Sequence, residues 1–491
     1  MHYNHKLLAV LFLLSLPGLD ACKKLVSVPE PINTLTTTEV FSSDAEANSA
    51  MAGIYTAMIN GTAGTFNSAY LGYSEGLQTL MGSMSSDEFV YANSGNFVHV
   101  NTNHLIYTDG NITMWQPAYS QIYGANAVIQ GIAASTSGLL HDSVRKELTG
   151  EAKFVRAFCY FYLTNLFGDV PLALTIDFNQ TANMARTPQA QVYRQIIQDL
   201  KDAQAALPSD YSVGKGERNR PNKWAATALL ARAYLYTGDN ADAVTQASAV
   251  IANTGQYSLV SDLNGVFLKN STEAIWQLQQ NTSISGEGTA TPEGVALLPN
   301  PLNTGFTSYQ LSGQLLGAFE PGDQRRSAWV DSTNNSYNAP PNAANLTAYF
   351  PFKYKTGSYN YSVGGTATEY YMVLRLTEQY LIRAEAEANG AGTASAIADL
   401  NVIRQRAGLP ALSSSLTPAQ VGAAVAHERQ VELFAEWGHR WLDLKRTGQA
   451  HAVLSVIPLK QPWAGDYQLL YPIPVSEIVA DHNLTQNPGY N

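Results

Sequence analysis

The segment 150–167 (GEAKFVRAFCYFYLTNLF) sets Phe154, Phe158, Tyr162 and Leu166 at four-residue intervals, and it stops at Gly168-Asp169-Val170-Pro171. That is one apolar stripe of a helix followed by a stop signal. Helical spacing also runs through Met51, Ile54, Tyr55 and Met58, behind the capping-box pattern Ser43-Asp44-Ala45-Glu46. It returns at Trp115, Tyr119, Ile122 and Tyr123. Thr187-Pro188 and Thr417-Pro418 each predict an N-cap with proline at the first helical position. Two stretches read as copies of one helical hairpin. In 222–253, Ala231, Tyr234, Gly238 and Ala243 fall at tetratricopeptide spacing around a turn at Gly238-Asp239. In 375–406, Ala384 and Ala396 repeat the same 12-residue separation around Ala391-Gly392. A regular solenoid would show three or more neighbouring copies, and these two are far apart in the chain. The pattern therefore predicts a mostly α fold, a scaffold of tetratricopeptide-like helical pairs interrupted by insertions. The insertions near 60–112 and 280–370 are rich in Gly, Asn, Ser and Thr with scattered aromatic residues, and they read as loop. Loops of that length are usually functional or disordered, and their aromatic content favours function.

The first residues belong to a different argument. A polar start with His2, His5 and Lys6 leads into an apolar run from Leu7 to Leu16, then Pro17-Gly18-Leu19-Asp20-Ala21-Cys22. The run is too short to span a bilayer, which needs about 20 apolar residues. It has the size of a signal-peptide core. Its end resembles a bacterial lipobox, with Cys22 as the first mature residue and lipidation site, although Asp20 stands where such motifs usually carry an uncharged residue. A lipidated cysteine anchors by acyl burial rather than by a spanning helix. The expected organisation is a signal peptide at 1–21, a lipidated N-terminus and tether at 22–38, and one helical domain over 39–491. With Cys22 lipidated, Cys159 is the remaining cysteine. Its neighbours Phe158 and Tyr160 make it a small buried apolar side chain rather than a nucleophile.

Composition narrows the function. Charged residues are 14% of the 491, and the formal net charge is −10. A phosphate-backbone binder draws its affinity from Lys and Arg, so nucleic acid is excluded as a partner. His427-Glu428 begins a zinc-helix pattern, but Val431 occupies the place of its second histidine. No spacing diagnostic of a metal or cofactor appears. Glu428, Glu432 and Glu436 share one helix face near Arg429 and Arg440. Ion pairing accounts for such an array better than a glycosidase acid and base, which need a cleft and one raised pKa. Arg156, Arg404 and Arg406 are read as structural in the same way.

Several motifs, in order, resemble the SusD/RagB outer-membrane nutrient-binding lipoproteins of Bacteroidetes. They are Thr38-Glu39-Val40-Phe41 with Met51-Ala52-Gly53-Ile54-Tyr55, and Glu151-Ala152-Lys153-Phe154-Val155-Arg156 continuing to Leu166-Phe167-Gly168-Asp169-Val170-Pro171. Asn401-Val402-Ile403-Arg404 follows, then Glu428-Arg429-Gln430-Val431-Glu432-Leu433-Phe434 through Trp437, Trp441 and Asp443. Tyr471-Pro472-Ile473-Pro474 and Gln486-Asn487-Pro488-Gly489-Tyr490 close the series. The resemblance implies a non-catalytic, lipid-anchored protein at the outer membrane, exposed at the cell surface. Its partners would be an oligosaccharide or similar nutrient and a SusC-like TonB-dependent transporter. An (α/α)-type glycoside hydrolase and a helical-repeat protein-interaction scaffold remain as alternatives.

A sugar presents apolar C–H faces and a rim of hydroxyls, so its recognition needs flat rings and neutral hydrogen-bond partners. By position in the family, the ligand-binding residues fall in the two insertions. They are Asp87, Tyr91, Asn93, Phe97 and Tyr107 in the first, and Tyr309, Trp329, Tyr349 and Tyr354 in the second. Trp224, Trp276 and Trp441 sit in regular apolar patterns and are assigned to the core.

Overall fold

The computed structural model describes residues 37–60, 76–95, 97–112, 114–284, 286–300, 307–334, 347–390 and 392–490. The signal segment, Cys22 and most of the tether lie outside the described residues. Helix α1 (Asp44–Asn60) starts at the expected cap and buries Met51, Ile54, Tyr55 and Met58. Helix α2 (Leu77–Ser85) lies inside the stretch read as loop, and every one of its side chains is buried. A short strand β1 (Phe89–Tyr91) and helix α3 (Val98–Thr102) follow.

The scaffold then runs through α4 (Trp115–Ala134), α5 (Asp142–Phe167), α6 (Gln189–Ala206), α7 (Lys223–Thr237) and α8 (Asn240–Ile251). Each of these packs on the next. The apolar stripe of α5 is buried along its length, Cys159 included. Gly168 ends that helix at φ 76°, a left-handed value that suits glycine. Gly238 does the same for α7 at φ 79°. At Thr187-Pro188 the expected cap is displaced, because Thr187 pairs with Val170 in a β-bridge and the helix opens one residue later, at Gln189. Thr417 is the N-cap ahead of Pro418 that the sequence indicated, and it also completes a capping box with Gln420.

The chain next makes strand β2 (Ala274–Leu278) and, within the middle insertion, helix α9 (Pro292–Leu297), strand β3 (Tyr309–Leu311), helix α10 (Gln324–Ala328) and strands β4 (Val330–Asn334) and β5 (Thr347–Pro351). Strand β6 (Tyr371–Arg375) brings it back. β6 pairs antiparallel with β2, and Leu278 lies opposite Tyr371. The whole insertion is therefore a loop closed across one residue pair. Helices α11 (Leu376–Ala388), α12 (Thr393–Arg406), α13 (Pro418–Leu433) and α14 (His439–Arg446) complete the chain. α11 packs on α8, so the two hairpins recognised at a distance in sequence are neighbours in space. The scaffold is a continuous stack of helices, not two isolated pairs.

Trp276 and Trp441 are fully buried, as expected. Phe154 and Phe158 meet Trp276 edge to face at 4.9 and 5.4 Å. Trp437 joins the same core, stacked on Tyr371 at 5.0 Å. Trp224 departs from the core assignment. It is half-buried at the start of α7, with Nε1 donating to the Ser209 carbonyl and Lys223 over its ring.

Glu428 and Glu432 lie on α13, whereas Glu436 falls in the turn beyond its end rather than on the helix face expected; all three are buried ion-pair partners. Glu432 accepts from Arg325, Arg375 and Arg406 at 2.9, 2.7 and 2.5 Å. Burial alone would raise its pKa, but these three guanidiniums outweigh burial and hold the carboxyl well below its usual range. Glu428 pairs with Arg325 at 2.5 Å, and Glu436 with Lys353 and Arg375 at 2.5 and 2.8 Å. Arg429 and Arg440, expected beside these carboxylates, pair with Asp443 and Asp87.

Candidate functional site

The two insertions meet. β1 and β3 pair antiparallel, with Phe89 opposite Leu311, Val90 opposite Gln310 and Tyr91 opposite Tyr309. Alternation along each strand puts Phe89, Tyr91, Leu311 and Tyr309 on one face. Phe89 and Leu311 form the buried end of that face, whereas Tyr91 and Tyr309 reach partial exposure. Ala92 N–H continues the ladder to the Ser308 carbonyl at 2.8 Å, and Ser312 N–H to Glu88 O at 2.8 Å. Phe97, immediately before α3, folds back onto this edge. It meets Tyr91 edge to face at 5.8 Å and Tyr309 at 6.4 Å, and Tyr91 and Tyr309 lie 5.5 Å apart. Desolvation raises the pKa of both tyrosine hydroxyls, so they stay protonated and can both donate and accept. Asn93 is exposed just beyond β1 and turns its Oδ1 to the Ser94 N–H at 2.8 Å.

The platform is held from beneath. Lys460 is buried with its ammonium against the C-terminal carbonyls of two helices. It lies 2.9 Å from Met84 O, 3.2 Å from Ser85 O, 3.0 Å from Asn101 O and 2.6 Å from Asn103 Oδ1. A cation suits the negative end of a helix. This one ties α2 to α3, and between them lie Tyr91 and Phe97. Beside α2, the buried Glu88 carboxyl is pushed up to about 7 by desolvation, although it accepts from Ser83 Oγ at 2.6 Å.

Three expected ligand contacts face inward and are corrected. Trp329 is fully buried, with Nε1 donating to Leu263 O at 2.9 Å and its ring packed on Phe267. Tyr354 is 4% exposed and its hydroxyl accepts from the Met372 N–H at 2.9 Å. Asp87 is 5% exposed and holds Arg440 through both carboxylate oxygens at 2.7 and 2.8 Å. All three side chains are spent on contacts within the protein. Tyr107 is 52% exposed but makes no ring contact with the platform. Tyr349 is half-buried on β5, with the Arg326 guanidinium 4.8 Å from its ring centre.

Sequence reasoning missed His99, whose Nδ1 lies 3.0 Å from Asp109 Oδ2 beside the platform, and it missed Arg326. A His and an Asp ten residues apart carry no periodic signal, and an arginine in the Gln324-Arg325-Arg326 run looks like its buried neighbour. Among the described residues no group of three His, Cys, Asp or Glu side chains is placed to hold a metal ion.

Stacked helical pairs with rings from two insertions meeting at a strand edge define a class, the helical-repeat protein with ring-bearing insertions. Residues 39–235 match the family described as "Starch-binding associating with outer membrane", and residues 320–490 match the SusD family. SusD-like protein P2 of Formosa agariphila is 28% identical over 99% of this chain and all of that one. A SusD-like protein from Bacteroides fragilis superposes with TM-score 0.75 at 23% identity, covering 92% of this chain and 98% of its own. A laminarin-binding SusD-like protein superposes with TM-score 0.73 at 25% identity, covering 92% of this chain and all of its own. The chain belongs to the SusD/RagB family.

Proposed function

We propose that the protein captures a glycan at the outer membrane without cleaving it, and passes it to a TonB-dependent transporter of the SusC type while held by lipid on Cys22. The observation that carries the capture is the meeting of Tyr91, Phe97 and Tyr309, from two insertions more than 200 residues apart, in one ring cluster at an open edge. Such rings offer flat faces to sugar C–H groups, and Asn93 supplies a neutral hydrogen-bonding neighbour. The binding of laminarin by a protein of the same fold supports a glycan as the ligand. A non-catalytic role is supported by Glu428, Glu432 and Glu436, which are buried against arginine and lysine rather than facing a cleft.

The test is an affinity-gel or calorimetric titration of the soluble 23–491 fragment with a glycan panel headed by laminarin. Tyr309→Ala should weaken binding by at least about tenfold, the loss typical of a central aromatic anchor. No reducing sugar should be released. Affinity for a neutral glycan should change little with ionic strength, since stacking and neutral hydrogen bonds are not screened. Unchanged binding by the variant, or glycan cleavage, refutes the proposal.

A further inference from the structure

Arg325 and Arg326 are adjacent on α10 and meet opposite fates. Arg325 is fully buried and bonded to Asp323, Glu428 and Glu432. Arg326 points the other way, half-buried, and stacks on Tyr349 at 4.8 Å. Its backbone N–H bonds Asp323 O at 3.1 Å, but among the described residues its guanidinium has neither an ion pair nor a hydrogen bond. A guanidinium held over a ring by cation–π attraction spends none of its N–H donors on a hydrogen bond there, so its planar fork of donors remains available.

The surroundings decide what that edge can take. In the β4–β5 ribbon Tyr349 lies opposite Ser332, and Thr347 lies opposite Asn334. Cross-strand partners project to the same side, so the face bearing Tyr349 also bears a hydroxyl, an amide and a second hydroxyl. Asp331, opposite Phe350, belongs to the other side. This face therefore has one unpaired cation, one ring and neutral polar groups, with no carboxylate on its own strands. β5 also packs against β3, the strand that carries Tyr309. The ribbon thus adjoins the ring cluster.

We propose that Arg326 and Tyr349 form a subsite for an oxyanion carried by the glycan, a sulfate ester or a uronate carboxylate, beside the neutral ring platform. The ring stacks on one sugar while the guanidinium edge takes two oxygens of its anionic substituent, the geometry in which arginine exceeds lysine. This inference rests on the glycan-capture reading and adds a charge preference to it.

The experiment compares three forms of one polymer at a single ionic strength: laminarin, laminarin bearing sulfate esters, and laminarin oxidised to uronate at its primary hydroxyls. The wild-type protein should bind at least one charged form about tenfold more tightly than the parent, as expected of a charge-assisted hydrogen-bonded pair. The preferred form identifies the substituent. Arg326→Gln should abolish that preference while leaving affinity for laminarin itself unchanged, and Arg326→Lys should retain only part of it. Charged-form affinity that is unaltered by Arg326→Gln overturns the subsite but leaves glycan capture standing. So does an equal loss for all three polymers, which would make Arg326 a support for the ribbon. Failure of all three polymers to bind retires the glycan reading and the subsite together.

Discussion

Glu293 lies on α9 at 2% exposure, where its Oε1 accepts from Thr79 Oγ1 and from the Tyr371 hydroxyl, the latter at 3.0 Å. Burial pushes its carboxyl from 4.5 up to about 8; the two hydrogen bonds pull it down, and the charge of Glu436 pushes it further up. The unfolded chain releases this proton near 4.5 and the folded one near 8, so between those values the unfolded state binds fewer protons. Stability from this group is therefore complete below about 4.5 and is lost as pH rises through about 8. Glu88 acts in the same direction over a narrower window. Glu293→Gln should flatten the fall in melting temperature between pH 5 and 8, and thermal unfolding followed across that range checks it. An unchanged slope would mean that Glu293 titrates normally. Single residues are also where the sequence was hardest to read. Trp329, expected at the ligand, is fully buried, and the apolar neighbours Ala328 and Val330 are the signal that the expectation passed over. Tyr354 stands between Lys353 and Lys355, which reads as surface, yet Lys353 is buried against Phe434 and Glu436. Ser86-Asp87-Glu88 looks like loop and is buried throughout. Composition reports polarity, whereas the satisfaction of that polarity by distant partners is a property of the fold.

At the scale of elements, the long amphipathic helices were legible because their apolar stripes are periodic, and α2 was not. Its Gln78, Thr79 and Ser83 are buried and bond to Trp437 O, Glu293 and Glu88. Leu77, Leu80, Met81 and Met84 do keep helical spacing, but the helix is only nine residues long and lies in a Gly- and Ser-rich stretch whose composition reads as loop. α2 also crosses the start of α14 so closely that a Cβ at Gly82 would lie 2.5 Å from Gly438 Cα. The pairing of β1 with β3 was equally hidden, since three-residue strands more than 200 residues apart leave no local pattern, although Tyr91, Phe97 and Tyr309 were each legible as candidates. What holds this arrangement is Lys460, between the ends of α2 and α3. Lys460→Met should leave four oxygens without their donor and loosen the segment carrying Tyr91 and Phe97. The expected outcome is severalfold weaker glycan binding with the helical circular dichroism at 25 °C retained; unaltered affinity would show that the ring segment is held without it.

The molecule as a whole is joined through one buried set of charges. Glu432 on α13 gathers Arg325 from α10, Arg375 from β6 and Arg406 from α12, so the middle insertion, the closing strand and the helical stack share one carboxylate. Glu432→Gln would leave three guanidiniums in the interior without their common counter-charge. Breaking a buried pair on one side typically costs about 3–5 kcal/mol, and a lowered urea midpoint measures it. A midpoint unchanged within error would show that the remaining carboxylates suffice. The sequence read Glu428, Glu432 and Glu436 as ion-paired on one helix face, and Glu436 pairs from the turn beyond α13 instead. It did not reveal their partners, which arrive from elements up to 107 residues away.

Leu278 and Tyr371 face each other across β2 and β6, and this has a bearing on adaptability. A segment whose two ends are pinned together can be lengthened at its outer turns for only about 0.6 kcal/mol per doubling of the added loop. Ligand preference can therefore be rewritten by exchanging those turns, as one changes a tool bit while keeping the handle.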